Sequence, residues 1–172
     1  VWQDPKNVMT MVSAIRDALV QADPANAATY RQNAEAYLAK LDEMDAAVLG
    51  TLEQLPATQR KLVTSHDSLG YFAARYGFEI VGSVIASLST EAGEPSAQDI
   101  VGLISGIQQQ GVKAIFLESQ ANPKLVERVA SEAGIAIGPE LYTDALGAAG
   151  TPGATYIDAM QYNAKAIVDA LK

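Results

Sequence analysis

A chain of 172 residues, 49% hydrophobic and 19% charged, can bury a substantial core and fits one domain plus an appendage, which excludes a disordered polymer. Twenty acidic residues against twelve basic ones give a formal charge of -8, the wrong sign for neutralising phosphate backbones, so nucleic acid drops out as a partner. The lack of cysteine excludes disulfides, thiolate metal sites and cysteine nucleophiles, and no apolar run approaches the roughly 20 residues that cross a bilayer.

The chain opens on Val1-Trp2-Gln3-Asp4-Pro5, with neither an initiator Met nor a targeting segment, and reads as beginning inside a longer protein. Asp4 before Pro5 is an N-cap followed by proline at the first helical position. Val8, Met11, Val12, Ile15 and Leu19 then recur at helical spacing, so a first helix is predicted to end near Ala22. Asp23-Pro24 repeats the start signal, and no glycine or proline follows until Gly50 and Pro56. A second helix of about thirty residues is predicted, spanning roughly 45 Å, more than one small domain needs. Tyr30, Ala34, Tyr37, Leu41, Met44 and Val48 draw one narrow apolar seam along it, widened by Leu38, Leu49 and Leu52. The seam fits either a bundle helix or a rigid strut between two domains, and the single compact domain predicted beyond it favours the strut.

From Arg60 onward, short apolar runs rich in β-branched residues alternate with helices that have recognisable ends. The predicted strands are Lys61 to Ser65, Glu79 to Ile85, Lys113 to Leu117 and Gly134 to Leu141, the last weakened by Gly138 and Pro139. The predicted helices are Leu69 to Tyr76, Ala97 to Gln110 with Ser96 as cap, Pro123 to Ala133 after Asn122, and a last one from near Thr155 to Leu171. Such alternation predicts an α/β fold: a four-stranded parallel sheet with helices on both faces, preceded by the long helix. Ser89 to Ser96 and Gly147 to Gly153 are predicted loops, too short to link domains.

Ligands of open α/β sheets bind beyond the carboxyl ends of the strands. His66 and Asp67 follow the first strand, Glu91 the second, Glu118 ends the third, and Asp144 follows the fourth. Imidazole and carboxylates are the donors Zn(II) and Mn(II) take from a cysteine-free protein. Each residue also has a plainer use. A lone His is commonly a satisfied structural residue, and Asp67 reads first as the cap of the helix after it. Asp144 fits an ordinary turn, Glu91 and Glu94 fit solvated loop charges, and Glu118, closing an apolar strand, fits a buried pair behind a site. No G-x-S-x-G elbow, H-E-x-x-H, Walker loop or G-x-G-x-x-G occurs, and Ser65 and Ser68 are too near His66 in sequence to make a nucleophile-base pair.

Five segments in order resemble the metal-binding cluster of solute-binding proteins of ABC importers, the ZnuA-like and TroA-like group, over nearly the whole chain. Val1-Trp2-Gln3-Asp4-Pro5 is similar to the tail of that family's D-P-H-x-W-x-D-P motif. Asp23 to Ala27 with Tyr30 and Asn33 to Leu38 resembles the opening of its long interdomain helix. Val63 to Phe72 is similar to the segment with its third ligand, Phe116 to Ser119 with Pro123-Lys124 to one whose Glu lies near the site, and Tyr142 to Gly147 to the one with its carboxylate ligand.

The resemblance implies extracytoplasmic capture of Zn(II) or Mn(II) and delivery to an ABC permease, by a protein that is periplasmic or lipid-anchored outside the cytoplasmic membrane and is not an enzyme. It implies His66 and Asp144 as ligands, with Glu118 and Asp67 behind them. Histidine at position 66 tilts the expectation to zinc. Residues 1–22 would end the N-terminal lobe, 23–56 would form the connecting helix, and 57–172 the C-terminal βα lobe. Two further histidine ligands are expected outside the chain, one just before Val1 and one in the other lobe, so the site is expected to be incomplete and to bind metal weakly here. The competing reading is a doubly wound enzyme using His66 with Asp67 or Glu118 as acid-base groups.

Overall fold

In a computed structural model of the chain, residues 1–85, 95–118 and 123–172 are described. The first helix, α1, runs Pro5–Ala22, with the Asp4 side chain accepting the Lys6 N–H as its cap. A 3-10 turn at Pro24–Asn26 then takes the place of a first helical turn, so α2 covers Ala27–Leu52, 26 residues, shorter than the predicted thirty. The turn is set by Asp23, whose carboxylate accepts Asn26 Nδ2 at 2.7 Å and the Tyr30 hydroxyl at 2.8 Å. At 1.5 Å per residue α2 is about 39 Å long. Its two halves differ. Between Ala27 and Lys40 only Ala34 is buried, whereas Leu41, Met44, Val48 and Leu52 enter the core. The predicted seam therefore packs against α1 and, from Leu41 onward, joins the main core of the βα region.

The remaining elements alternate as predicted: β1 Lys61–His66, α3 Gly70–Tyr76, β2 Glu79–Ile85, α4 Ala97–Gln110, β3 Ala114–Glu118, α5 Pro123–Ala133, β4 Ala136–Leu141 and α6 Tyr156–Leu171. The four strands form one parallel sheet in the order β2-β1-β3-β4. Alternate residues of a strand face opposite sides, and here they feed two separate cores. Leu62 of β1 and Ala114 and Phe116 of β3 pack with α2, α3 and α6, while Val63 and Ile115 pack with α4 and α5. Helices thus cover both faces, and at about 25 cal/mol per Å² of apolar surface this burial is the main source of the fold's stability.

The strand ends differ from expectation by one or two residues. β1 continues through His66 and β3 through Glu118, where the Glu118 carboxylate accepts the His66 backbone N–H across the two strand ends. β4 begins at Ala136 because Gly134, at φ +73°, takes the left-handed conformation that closes α5. β4 is an edge strand in which only Leu141 is buried, a place where Pro139 costs no ladder bond. Gly138 has a packing reason: a Cβ there would lie 2.6 Å from Phe116 Cε1. Ser96 and Asp99 cap α4 reciprocally, as the sequence implied for Ser96. Most of the predicted loop from Ser89 to Ser96, with Glu91 and Glu94, and the Asn122 cap fall outside the described residues. Among the described residues no helix is long and apolar enough to cross a membrane.

Candidate metal centre

Thr64 of β1 stands opposite Phe116 of β3, and two residues further along each strand come His66 and Glu118. Parallel pairing therefore delivers both to the same carboxyl rim. His66 is 5% and Glu118 3% exposed, so neither is solvated and each must be satisfied by protein groups. Glu118 is. Its Oε1 accepts the Ser65 hydroxyl at 2.9 Å and the His66 backbone N–H at 3.2 Å, and its Oε2 accepts the Ser68 hydroxyl at 2.5 Å.

The His66 ring lies between two carboxylates. Nδ1 is 3.0 Å from Glu118 Oε2 but makes no hydrogen bond among the described residues. Nε2, on the open side, is 2.7 Å from Asp144 Oδ2. Thr64 Oγ1 donates to the His66 carbonyl at 2.7 Å and steadies the strand end.

Asp144 is three residues beyond β4 and exposed, in a cleft also lined by Trp2, Asp67, Ser68 and Tyr71. The residues before it are anchored from two sides. Asn163 of α6, 1% exposed, takes both backbone groups of Tyr142, accepting its N–H at 3.0 Å and donating to its carbonyl at 2.7 Å. The Thr143 carbonyl accepts Trp2 Nε1 at 2.7 Å and Gln3 Nε2 at 2.8 Å.

One imidazole nitrogen facing one carboxylate oxygen is a donor pair that suits Zn(II) or Mn(II). A tetrahedral ion about 2.1 Å from each would hold them about 3.4 Å apart, so the 2.7 Å pair would have to open by roughly 0.7 Å. Among the described residues no group of three or more His, Cys, Asp or Glu is arranged to hold a metal, because Glu118 stands behind the ring.

The structure thus brings His66, Glu118 and Asp144 together. Asp67 is not with them: it is exposed at the cleft wall and its side chain makes no hydrogen bond to a described residue. Nor does Asp67 cap α3, as the sequence had implied. The helix starts at Gly70 with Leu69 in the cap position, which leaves the Asp67 carboxylate a full step short of the first free N–H groups. Glu91 lies outside the described residues. Ser65 and Ser68, considered only as nucleophiles, are instead the donors that satisfy Glu118. Both hydroxyls donate to the Glu118 carboxylate and neither to the His66 ring. The roles of Trp2, Gln3 and Asn163 have no signal in sequence, since the first two act across 141 and 140 residues.

The family model described as zinc-uptake complex component A, periplasmic, matches residues 1–170. The zinc-binding protein TroA of Treponema pallidum is 40% identical over 176 residues, covering 99% of this chain and 56% of that protein. The solved structure of that periplasmic zinc-binding protein superposes with a TM-score of 0.89 at 38% identity, covering 99% of this chain and 62% of that one. The manganese-binding lipoprotein MntA of Halalkalibacterium halodurans is 37% identical over 170 residues, covering 99% and 56% respectively. The iron-binding protein YfeA of Yersinia pestis is 36% identical over 156 residues, covering 91% and 49%. The chain therefore spans about half the length of the curated relatives it matches. A match over the whole length, at this identity and with this superposition, makes the chain a member of the periplasmic zinc-uptake component A family, a family of metal-binding solute-binding proteins and not of enzymes.

Proposed function

We propose that this chain is the C-terminal part of a receptor that captures a divalent transition metal outside the cytoplasmic membrane and delivers it to an ABC permease. His66 Nε2 and the Asp144 carboxylate are two of its ligands, and Glu118 orients the ring from behind. The observation that carries the reading is the 2.7 Å approach of Nε2 to Asp144 at the open rim, in a chain of this family. A ligating histidine normally rests its other ring nitrogen against a carboxylate or carbonyl, and Glu118 occupies that place. The remaining corners of the shell come from residues outside the 172. Residues 1–22 then belong to the end of an N-terminal lobe, 23–56 connect the lobes, and 57–172 form the C-terminal lobe.

Relatives named for manganese, zinc and iron stand at similar identity, so likeness alone selects no metal. The donor set favours Zn(II) over Mn(II), because imidazole suits zinc better than the harder manganese. The names of the relatives, periplasmic or lipoprotein, support a site outside the cytoplasmic membrane. Competition titration of the full-length protein against chelators tests the reading: one Zn(II) should bind tightly, more tightly than Mn(II), and His66→Ala or Asp144→Ala should weaken it by about 100-fold or more, the loss of one of four ligands. Full affinity in both variants would refute the ligand assignment, and preference for Mn(II) would refute the choice of metal. No observation favours the acid-base enzyme using His66 with Asp67 or Glu118.

A further inference from the structure

The Asp144 carboxylate sits on a stretch with little support of its own. The backbone of Asp144, Ala145 and Leu146 makes no hydrogen bond to a described residue, and the next fixed point is the Gly147 N–H on the Gly153 carbonyl at 2.8 Å. The last fixed point before the carboxylate is the Thr143 carbonyl, held by Trp2 and Gln3 together. Those two residues belong to the segment before α1, and the segment is itself fastened: the Tyr156 hydroxyl donates to the Trp2 carbonyl at 2.8 Å. Burial keeps that phenol protonated, well above its ordinary value.

Gln3 adds an independent sign. It is 3% exposed, and its Oε1 is buried with no hydrogen-bond partner among the described residues. An orphaned buried acceptor is destabilising, and an apolar side chain of the same length would avoid it. The amide is worth its cost only through its N–H, and that N–H goes to Thr143. Trp2, by contrast, is 47% exposed and lines the cleft beside Asp144, within reach of anything that closes over it.

We propose that Trp2 and Gln3 are positioning residues that hold the Asp144 loop for the ion, so that the seating of the segment before α1 regulates metal retention. This rests on the reading of His66 and Asp144 as ligands. A ligand must stay within about 0.5 Å of its productive place, and displacing the Thr143 carbonyl moves the very next residue. A body that closes over Trp2 secures the carboxylate, and one that lifts it lets the carboxylate go.

The test compares the full-length protein with its Trp2→Phe/Gln3→Met and Gln3→Met variants, which keep bulk and remove the donors. Hydrogen exchange of the Tyr142 and Gly147 amides, the hydrogen-bonded ones on either side of the carboxylate, should quicken about tenfold in the double variant, for two neutral hydrogen bonds, and about threefold in Gln3→Met, while β1 and β3 keep their protection. Loaded with Co(II), the double variant should change its d–d absorption in the same sense as Asp144→Ala and release the ion to a chelator about tenfold faster. Unchanged exchange at Tyr142 and Gly147 would overturn the proposal, as would equal acceleration in β1 and β3, which marks a merely structural role. Faster exchange with an unaltered cobalt spectrum and release rate would overturn it too. A cobalt spectrum that survives His66→Ala would overturn the ligand assignment and this regulation with it, and the exchange data would separate that failure from a failure of the clamp.

Discussion

Replacing Glu118 separates its structural work from its electrostatic work. Glu118→Ala leaves two buried donors, the Ser65 hydroxyl and the His66 backbone N–H, without an acceptor, while the partly buried Ser68 can turn to water. At about 1–3 kcal/mol for each unsatisfied group, less what a water entering the vacated space restores, the cost is roughly 2–4 kcal/mol. Glu118→Gln keeps a carbonyl oxygen for those two donors and presents an amide to Ser68, whose hydroxyl can accept, so its cost is about 1 kcal/mol. For a chain of this size each kcal/mol moves Tm by about 2–4 °C, which predicts a fall of roughly 4–16 °C for Ala and about 2–4 °C for Gln. Metal binding should show the opposite economy. Glu118→Gln removes the negative charge 3.0 Å from Nδ1, and with it the attraction that an imidazole bound to an ion through Nε2, as proposed above, would draw from behind. Glu118→Gln should therefore lose about 10- to 100-fold in zinc affinity despite its mild effect on folding. Calorimetry and chelator competition on the same full-length variants read both effects. Equal Tm values for Ala and Gln, or a Gln variant with wild-type affinity, would refute the reasoning.

Asp45 of α2 is buried and accepts hydrogen bonds from Arg75 and, at 2.8 Å, from the Tyr76 hydroxyl. Burial alone pushes its carboxyl up, but the bonds from Arg75 and Tyr76 with the charges of Arg75 and Lys6 outweigh burial and hold it below its ordinary value. A folded value below the unfolded one means stability that is present at neutral pH and lost as acid protonates the native carboxylate. Asp45→Asn should cost roughly 2 kcal/mol at pH 7, discounted for the part-exposed Arg75, and the difference should shrink below about pH 4 in urea titrations. Gly138→Ala should lower the urea midpoint by the equivalent of about 1–3 kcal/mol, because its Cβ would meet the fully buried Phe116 ring at 2.6 Å. Gly102→Ala, mid-α4 with nothing within 4 Å of its Cβ, should raise the midpoint by about 0.5–1 kcal/mol. Solution scattering of the full-length protein with and without metal should show only a small change in radius of gyration, since α2 is one unbroken helix of 26 residues. A large change would mean that the helix is no strut.

Local pattern carried most of the fold. The alternation in Lys61–His66 and Ala114–Glu118, the punctuation at Gly77, Gly111 and Gly134, and the proline starts of α1 and α5 are properties of neighbouring residues, so strands, helices and their order were legible in the chain. His66 and Asp144 stood out because parallel βα units send their loops to one rim, which is a rule of topology. What could not be read locally was who answers whom. Asp67 looked like a cap until α3 began two residues later than a cap at 67 needs. Ser65 and Ser68 looked like idle hydroxyls until Glu118, 53 and 50 residues away, was found beneath them. The hold of Trp2 and Gln3 on Thr143 joins opposite ends of the chain. Burial makes a polar group depend on its partners, and in a folded chain those partners are chosen by packing and not by distance along the sequence.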